Sequence, residues 1–376
     1  MTTESTQVHN GITVETSKPL DPMVVNANQI GALLFPEKNL QGDAQYNEPI
    51  DLYTVDDLVK LDPTGIGYAN ARYFLEETKN KLTVIPCEHD ADVAEQAKKL
   101  VGGIDPSDGD KTGILAFEKC NFDPTQVAVI GGKGVSIVNQ LQTYALDSRC
   151  MAWTDATDTT TQAAFDFGDS INSSHVWAVD NSGERYSHQI SPAVVGMAAA
   201  CKVNPWETPN GAKVPVDRVS RPIGYRVTKK NCEGVELNKK GIACIVKDPK
   251  GGYMFLGTRT SSGDFGNVVA AENMLLREIQ KAHRETMSKN LNVSFFKSKI
   301  AALNDWASTL VADEAVIGMR IYLHQTRNTR SRYENGEWVL VIEWGAYRPN
   351  EHSIVELNQS GEIVENFVEN IKSTFK

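Results

Sequence analysis

The stretch VIGGKGVS, residues 129–136, has the residue types of a nucleotide-binding loop, placed between an apolar run and an amphipathic one. A P-loop needs G-x-x-x-x-G-K-[ST], so that backbone amides cradle phosphates and a hydroxyl reaches the metal. Here Lys133 is followed by Gly134, and the G-x-G-x-x-G spacing of a dinucleotide site is also unmet. The stretch reads as a tight strand-to-helix turn. Thr64-Gly65-Ile66-Gly67 carries a weaker signal of the same kind. Cys87-Glu88-His89 offers two metal ligands, but no third and fourth donor follows at a useful spacing. Gly257-Thr258-Arg259-Thr260 has the composition of a phosphate nest, yet a nest normally opens a helix at once. Here SSGDFG intervenes, which favours architecture over chemistry.

The histidines, at 9, 89, 175, 188, 283, 324 and 352, fall in no nucleophile elbow and in no H-E-x-x-H helix. No catalytic, cofactor-binding or metal-ligating residue is therefore expected. The six cysteines (Cys87, Cys120, Cys150, Cys201, Cys232 and Cys244) are scattered without a C-x-x-C pair, as reduced and mostly buried thiols would be. MTTESTQVHNG lacks the basic start and apolar core of a signal peptide. No apolar run is long enough to cross a membrane as a helix.

Charge is uneven along the 376 residues. Residues 1–200 hold 13 basic and 28 acidic side chains, a net of −15; residues 201–376 hold 25 and 20, a net of +5. Within 201–260 the count is 12 against 5, or +7. Interleaved aromatics and nucleic-acid motifs are absent there, so a protein partner suits this surplus better than nucleic acid.

The elements that must carry these residues begin with a polar stretch, 1–22, which reads as an arm. Its one strand-like alternation, Gly11-Ile12-Thr13-Val14-Glu15-Thr16, is too short to fold alone. Residues 23–66 read as irregular. From about 68 to 200, short apolar strands alternate with amphipathic helices, which predicts a mostly parallel, doubly wound α/β sheet covered on its faces. The text changes at Ser191. A small-residue helix and a loop rich in Pro and Gly lead to a hairpin over 242–257, apolar on both faces and hence central. Asn267 stands where it would cap a helix running to about Ser288, and a second helix spans roughly 297–312. Three β runs follow, GMRIYLHQ, EWVLVIEW and HSIVELN. The last helix carries one apolar stripe of Ile363, Val364, Phe367, Val368 and Ile371.

From residue 191 onward the order of elements resembles the tail sheath proteins of contractile bacteriophages and R-type bacteriocins. Four pieces carry the likeness: Ser191-Pro192-Ala193 with Gly196 and the Trp206…Pro209-Asn210-Gly211 loop; Leu237-Asn238 and Gly241-Ile242 leading to Leu256-Gly257-Thr258-Arg259-Thr260; the helix from 268; and Asn328-Thr329 with Asn335-Gly336-Glu337-Trp338 and a strand ending near Pro349. Ala243 and Leu256 stand where that family often has Asn and Trp. Residues 1–190 match only in kind.

The resemblance implies an arm at 1–22, a variable outer α/β domain over 23–190, and an inner α+β sheath domain over 191–376. It also implies a non-enzymatic subunit without cofactors, stacked as hexameric rings around a tail tube that contraction drives through a bacterial envelope. Expected partners are other copies, the tube protein, and baseplate and terminator proteins, with neither nucleic acid nor membrane insertion. The expected place is the virion tail, assembled in the host cytoplasm. Lys229, Lys230, Lys239 and Lys240 are the tube-facing candidates. Ile12, Thr13, Val14 and Glu15 would add a strand to a neighbour, with Ile12 and Val14 pointing one way. An orphan strand seeking another chain's edge builds rings and helical filaments, which agrees with that reading. Two readings from other classes stand beside it: an α/β hydrolase or nucleotide-dependent transferase with a β-rich appendage, and another tail or capsid protein.

Overall fold

The structure, a computed structural model, describes Met23 and residues 27–284 and 289–375. Nine strands form one sheet: β1 (Gly31–Glu37), β2 (Ile50–Leu52), β3 (Leu82–Glu88), β4 (Gln126–Val129), β5 (Met151–Asp155), β6 (Val176–Asp180), β7 (Lys213–Val214), β8 (Ile242–Lys247) and β9 (Tyr253–Leu256). Their order is β7-β9-β8-β6-β5-β4-β1-β3-β2. The six from β8 to β3 run parallel, and β2, β9 and β7 are antiparallel additions at the edges. The chain passes outward from β1 to β3, then returns to lay β4 on the other side of β1. That reversal makes the sheet doubly wound, as the sequence predicts.

Alternation of side chains within the strands explains the double cover. In β1, Ala32 and Leu34 face one core while Leu33 and Phe35 face the other. The first core packs α2 (Val93–Val101), α3 (Val135–Ser148), α4 (Thr161–Ser170) and α6 (Glu233–Lys239), with Ala32 and Leu34. The second packs α1 (Ile66–Thr78) and α5 (Pro192–Ala200) around Leu33, Phe35 and a stacked Trp153–Trp177 pair. The two indoles stand 5.1 Å apart with Phe255 packed 6.1 Å from each, an arrangement that adds to plain area burial. A Cβ at Gly266, where α7 (Gly266–Arg284) begins, would lie 2.0 Å from the Trp177 ring, so only glycine lets the helix start there.

The hairpin is central, as its two apolar faces require: Ile242 and Cys244 pair in parallel with Ala178 and Asp180. In consequence the sheet runs straight through the boundary expected at 190/191. The change of composition at Ser191 marks a connection and not a break in the core. Residues 31–37, which the sequence leaves irregular, form the strand at the middle of the winding. Their apolar run is five residues long and ends at Pro36, so neither length nor composition separates it from a loop.

A third core gathers Met274 and Leu275 of α7, Leu303, Trp306 and Leu310 of α8 (Val293–Ala312), and Ile321 of β10 (Gly318–Leu323). β10 pairs antiparallel with β11 (Leu340–Gly345), and these two make a sheet of their own; the short α9 (Arg330–Glu334) lies between them. Asn267 is not a cap. It sits inside the first turn of α7, and its Nδ2 donates to the Trp206 and Tyr347 carbonyls at 3.0 and 3.1 Å.

Asp155, at the end of β5, accepts hydrogen bonds from the Ser191 hydroxyl and the Ala193 amide, tying the start of α5 to the sheet. Burial pushes its pKa up to about 6, although those hydrogen bonds pull the other way. A carboxyl raised in the folded state favours folding below the unfolded value, and that contribution is lost as pH rises through the folded one. Asp155→Asn keeps the accepting oxygen without the charge. Relative to the parent, the variant should gain about 1 kcal/mol or more between roughly pH 5 and pH 8, measured by urea unfolding. A pH-independent difference would show that Asp155 is not the titrating group.

Candidate functional site

The structure collects three of the chemistry-bearing motifs at one place. Gly65 and Ile66 precede and open α1, His89 follows β3, and Gly131 follows β4; all line a cleft of about 570 Å³ at the carboxyl ends of the parallel strands. Lys133 does not enter it, because its Nζ donates to the Thr157 carbonyl at 2.7 Å. Among the described residues no three His, Cys, Asp or Glu side chains come together as a metal site. Cys87 is buried in the sheet, and that burial pushes its thiol up to about 11.

The fourth motif is structural. The Thr258 hydroxyl and the Arg259 guanidinium both bind Glu351, with Arg259 Nε and Nη2 at 3.0 and 2.7 Å from the two carboxylate oxygens. Arg259 and Arg348 also lie against the Phe265 ring, at 3.9 and 5.4 Å from its centroid. With Asn267 holding the Tyr347 carbonyl, these contacts pin residues 347–351 to the large sheet. Partial burial raises the Glu351 pKa, but the Arg259 and Thr258 hydrogen bonds and the guanidinium charge outweigh it and leave it below the usual carboxylate range.

Beyond this clamp the chain stands away from the body. HSIVELN, expected as a third strand, pairs with no strand among the described residues, and its Ile354, Val355 and Leu357 are 80–96% exposed. The amphipathic α10 (Gly361–Thr374) follows, capped by the Ser360 hydroxyl, and its stripe of Ile363, Val364, Phe367, Val368 and Ile371 faces solvent. β10 and β11 each keep one edge without a strand among the described residues. Two free edges, an unpaired extended segment and an uncovered apolar helix face all fall within residues 318–374.

The four lysines do not form a single patch. Lys229 and Lys230 lie in the turn before α6, and Lys239 and Lys240 at its far end; seven helical residues between them span about 10 Å. Lys239 pairs with Glu236, and Lys240 with Asp169 of α4 at 2.6 Å. Lys229 and Lys230 have no carboxylate partner among the described residues. Ile12, Thr13, Val14 and Glu15 lie outside the described residues. The sequence missed the clamp, because nothing in RPNEHS marks Glu351 as the partner of an arginine 92 positions earlier.

The architecture is thus a doubly wound sheet joined to a helix-backed β-hairpin with a projecting C-terminal arm. Among solved structures, that architecture over nearly the whole chain is found in contractile sheaths. The sheath of the PVC extracellular contractile injection system, in its contracted state, superposes with a TM-score of 0.71 at 14% identity, covering 96% of this chain and 100% of that one. The contracted helical sheath of the anti-feeding prophage gives 0.70 at 17%, covering 94% and 100%. A sheath tail protein from Listeria innocua gives 0.53 at 9%, covering 86% and 96%. No family model and no curated protein matches the sequence. The chain has the sheath fold.

The clamp can be tested alone. Glu351→Gln should free residues 346–351, seen as faster amide exchange there with α1 to α5 unchanged. In the parent the same loosening should appear on acidification, because a depressed carboxylate pKa gives a contact that is present above the ordinary glutamate value and lost as pH falls through the folded one. Equal protection in parent and variant would remove the clamp from the account.

Proposed function

We propose that this protein is the structural subunit of a contractile sheath, polymerising as stacked hexameric rings around a tail tube and shortening to drive that tube through a bacterial envelope. The observation that carries the reading is the end of the molecule bearing free strand edges, an unpaired strand-like segment and an uncovered helix stripe, on a fold shared with solved sheaths. Each of these needs a partner, and a second copy supplies all of them. The edges of β10 and β11 would accept extended segments from neighbours: residues 12–15 at one edge and 352–358 at the other. Such heterologous contacts propagate into rings and helices.

In this reading the protein is not an enzyme and needs no cofactor. It works in a phage tail or a related particle assembled in the host cytoplasm, with tube, baseplate and terminator proteins as its further partners. Residues 191–376 make the inner layer and much of 23–190 the outer one, with the large sheet common to both. Tube contact falls to the third core and α10. Lys229, Lys230, Lys239 and Lys240 remain the tube-facing candidates, of which Lys229 and Lys230 have no carboxylate partner among the described residues.

Electron microscopy of purified protein in physiological salt should show striated tubes or rings. A strictly monomeric species at high concentration would overturn the proposal, as would measurable hydrolase or transferase turnover. Deleting residues 1–17 should leave the cores intact and abolish tubes, since these residues precede every described core element. Tubes of normal stability from the truncated chain would exclude strand addition by the arm.

Contraction should leave the body unchanged. Interfaces switch between discrete packings; the bend is expected after Glu351 and, from the sequence alone, at Lys18–Pro22, where two prolines flank Leu20-Asp21. The segment Tyr347–His352 offers little bend of its own, because the clamp holds Tyr347, Arg348 and Glu351. Extended and contracted assemblies, compared by cryo-electron microscopy, should superpose within 27–345, with angular change in the untied segments and the added strands still paired. Refolding inside the large sheet would contradict this.

A further inference from the structure

The cleft at the carboxyl ends of β1, β3 and β4 takes no part in the assembly just proposed. It lies where the winding of the sheet reverses, between β1 and β4, and open α/β sheets bind ligands at that point. Its volume of about 570 Å³ is that of a small-molecule site. The assembly end lies at the opposite strand termini: Asn273 of α7 bonds the Cys150 carbonyl and the His175 ring, and Arg277 bonds the Arg149 carbonyl, all just before β5 and β6.

The group that needs a ligand is Glu37, which closes β1 and is only 4% exposed. One carboxylate oxygen accepts from the Lys38 amide at 3.0 Å, whereas Oε2 is buried without any partner. A buried acceptor left unmade is costly, and more so when charged. Burial accordingly raises the Glu37 pKa, nearby Asp62 adds to the rise, and the Lys38 and Asn39 amides oppose it without cancelling it. Gly65 leaves room for this carboxylate, since a Cβ on it would lie 2.4 Å from Oε2 and push the side chain aside.

The surroundings decide what the ligand can be. An anion is disfavoured because Glu37, Asp62 and Asp90 outnumber Lys38 and His89 in the lining, and because the start of α1, which has no side-chain cap, already has the Glu37 carboxylate beside Gly65. The first amides of α2 are taken by the Asp92 side chain, which accepts from Ala94 and Glu95 at 2.9 and 3.0 Å. A metal ion lacks a converging donor set. What remains is a donor-bearing cation. Ile66 and Val93 line the same cleft and are 43% and 77% exposed, an apolar surface against which a short alkyl chain can lie.

We propose that this cleft is a binding site for a small alkylammonium compound, whose ammonium group donates to Glu37 Oε2 while its hydrocarbon part covers Ile66 and Val93. Asp62 stays with its own loop, held by Asn39 and Thr64. Asp90 is partly neutralised by Lys99 at 3.2 Å. Glu37 is thus the group that sets charge selectivity.

The test uses the full-length chain and 1,4-diaminobutane as probe, with 1,4-butanediol as the uncharged analogue and sodium chloride matching ionic strength. The diamine should raise the melting temperature saturably, and the diol and the salt should not. Glu37→Gln retains the acceptor for the Lys38 amide, and it should lose the saturable shift. Independently of any variant, the side-chain NMR signals of His89 in the parent should move with diamine and not with diol. No saturable response in the parent, an unchanged response in Glu37→Gln, or His89 signals that ignore the diamine would each overturn the proposal. Because these readouts need no polymer, their failure would leave the sheath reading untouched, and failure to form tubes would leave the cleft untouched.

Discussion

The parallel pairing of Ile242–Cys244 with Ala178–Asp180 is the contact on which the rest of the molecule depends. It makes one sheet out of two lengths of chain that differ in composition and charge. With β8 fixed beside β6, β9 brings Phe255 onto the Trp153–Trp177 stack and the Thr258–Arg259 turn to the edge of the body. The next helix can then start only over Trp177, at a glycine, and it leads the chain past the amino ends of β5 and β6 to the third core. The clamp on Glu351 is a late consequence of the same pairing, because Arg259 is held in place by the strand before it.

Strand pairing divides the molecule into a part that is closed and a part that is not. In the large sheet, Glu37 Oε2 and the Thr154 hydroxyl apart, awkward groups are provided for: Gln126 accepts from the Trp153 indole and donates to Gln29, which in turn donates to the Ala200 and Val203 carbonyls. Asn181 bridges the Ile245 amide and carbonyl across to the Arg221 carbonyl. Beyond Glu351 no such closure exists. A strand edge exposes a row of backbone donors and acceptors, and natural proteins rarely leave long ones uncovered. Here two edges and a strand-like segment are uncovered together, on a chain whose apolar helix stripe also lacks a cover. A single oversight of this kind is unremarkable in a folded protein; several within one stretch of chain, 318–374, call for a partner.

Much of this was legible in the sequence. The helices and strands over 68–200, the double cover of the hairpin and the stripe of the last helix follow from period and run length, which local physics sets. Three features were not legible. β1 is a seven-residue strand whose apolar run stops at Pro36, and only its neighbours make it a strand. Asn267 has the residue type of a cap, but two carbonyls from distant loops outcompete the helix end for its amide. The cleft draws Glu37 from the end of β1 and Gly65, His89 and Gly131 from three connections, and the last three looked like failed motifs because motif spacing records neighbours along the chain. The winding of the sheet brings them together.

Charge behaves in the same way. The surplus over 201–260 suggested one basic face, yet α6 holds its lysines at opposite ends and two of them already have carboxylate partners. Exposed pairs of this kind are worth little, and exposed charges further apart than a Debye length hardly feel each other. A basic segment can therefore steer association without fixing its geometry. What fixes geometry is the backbone, whose unpaired edges accept a strand in one register per side-chain pattern. The freedom that a moving assembly needs must then lie in chain that neither the sheet nor the clamp holds. In this molecule that chain begins immediately after Glu351.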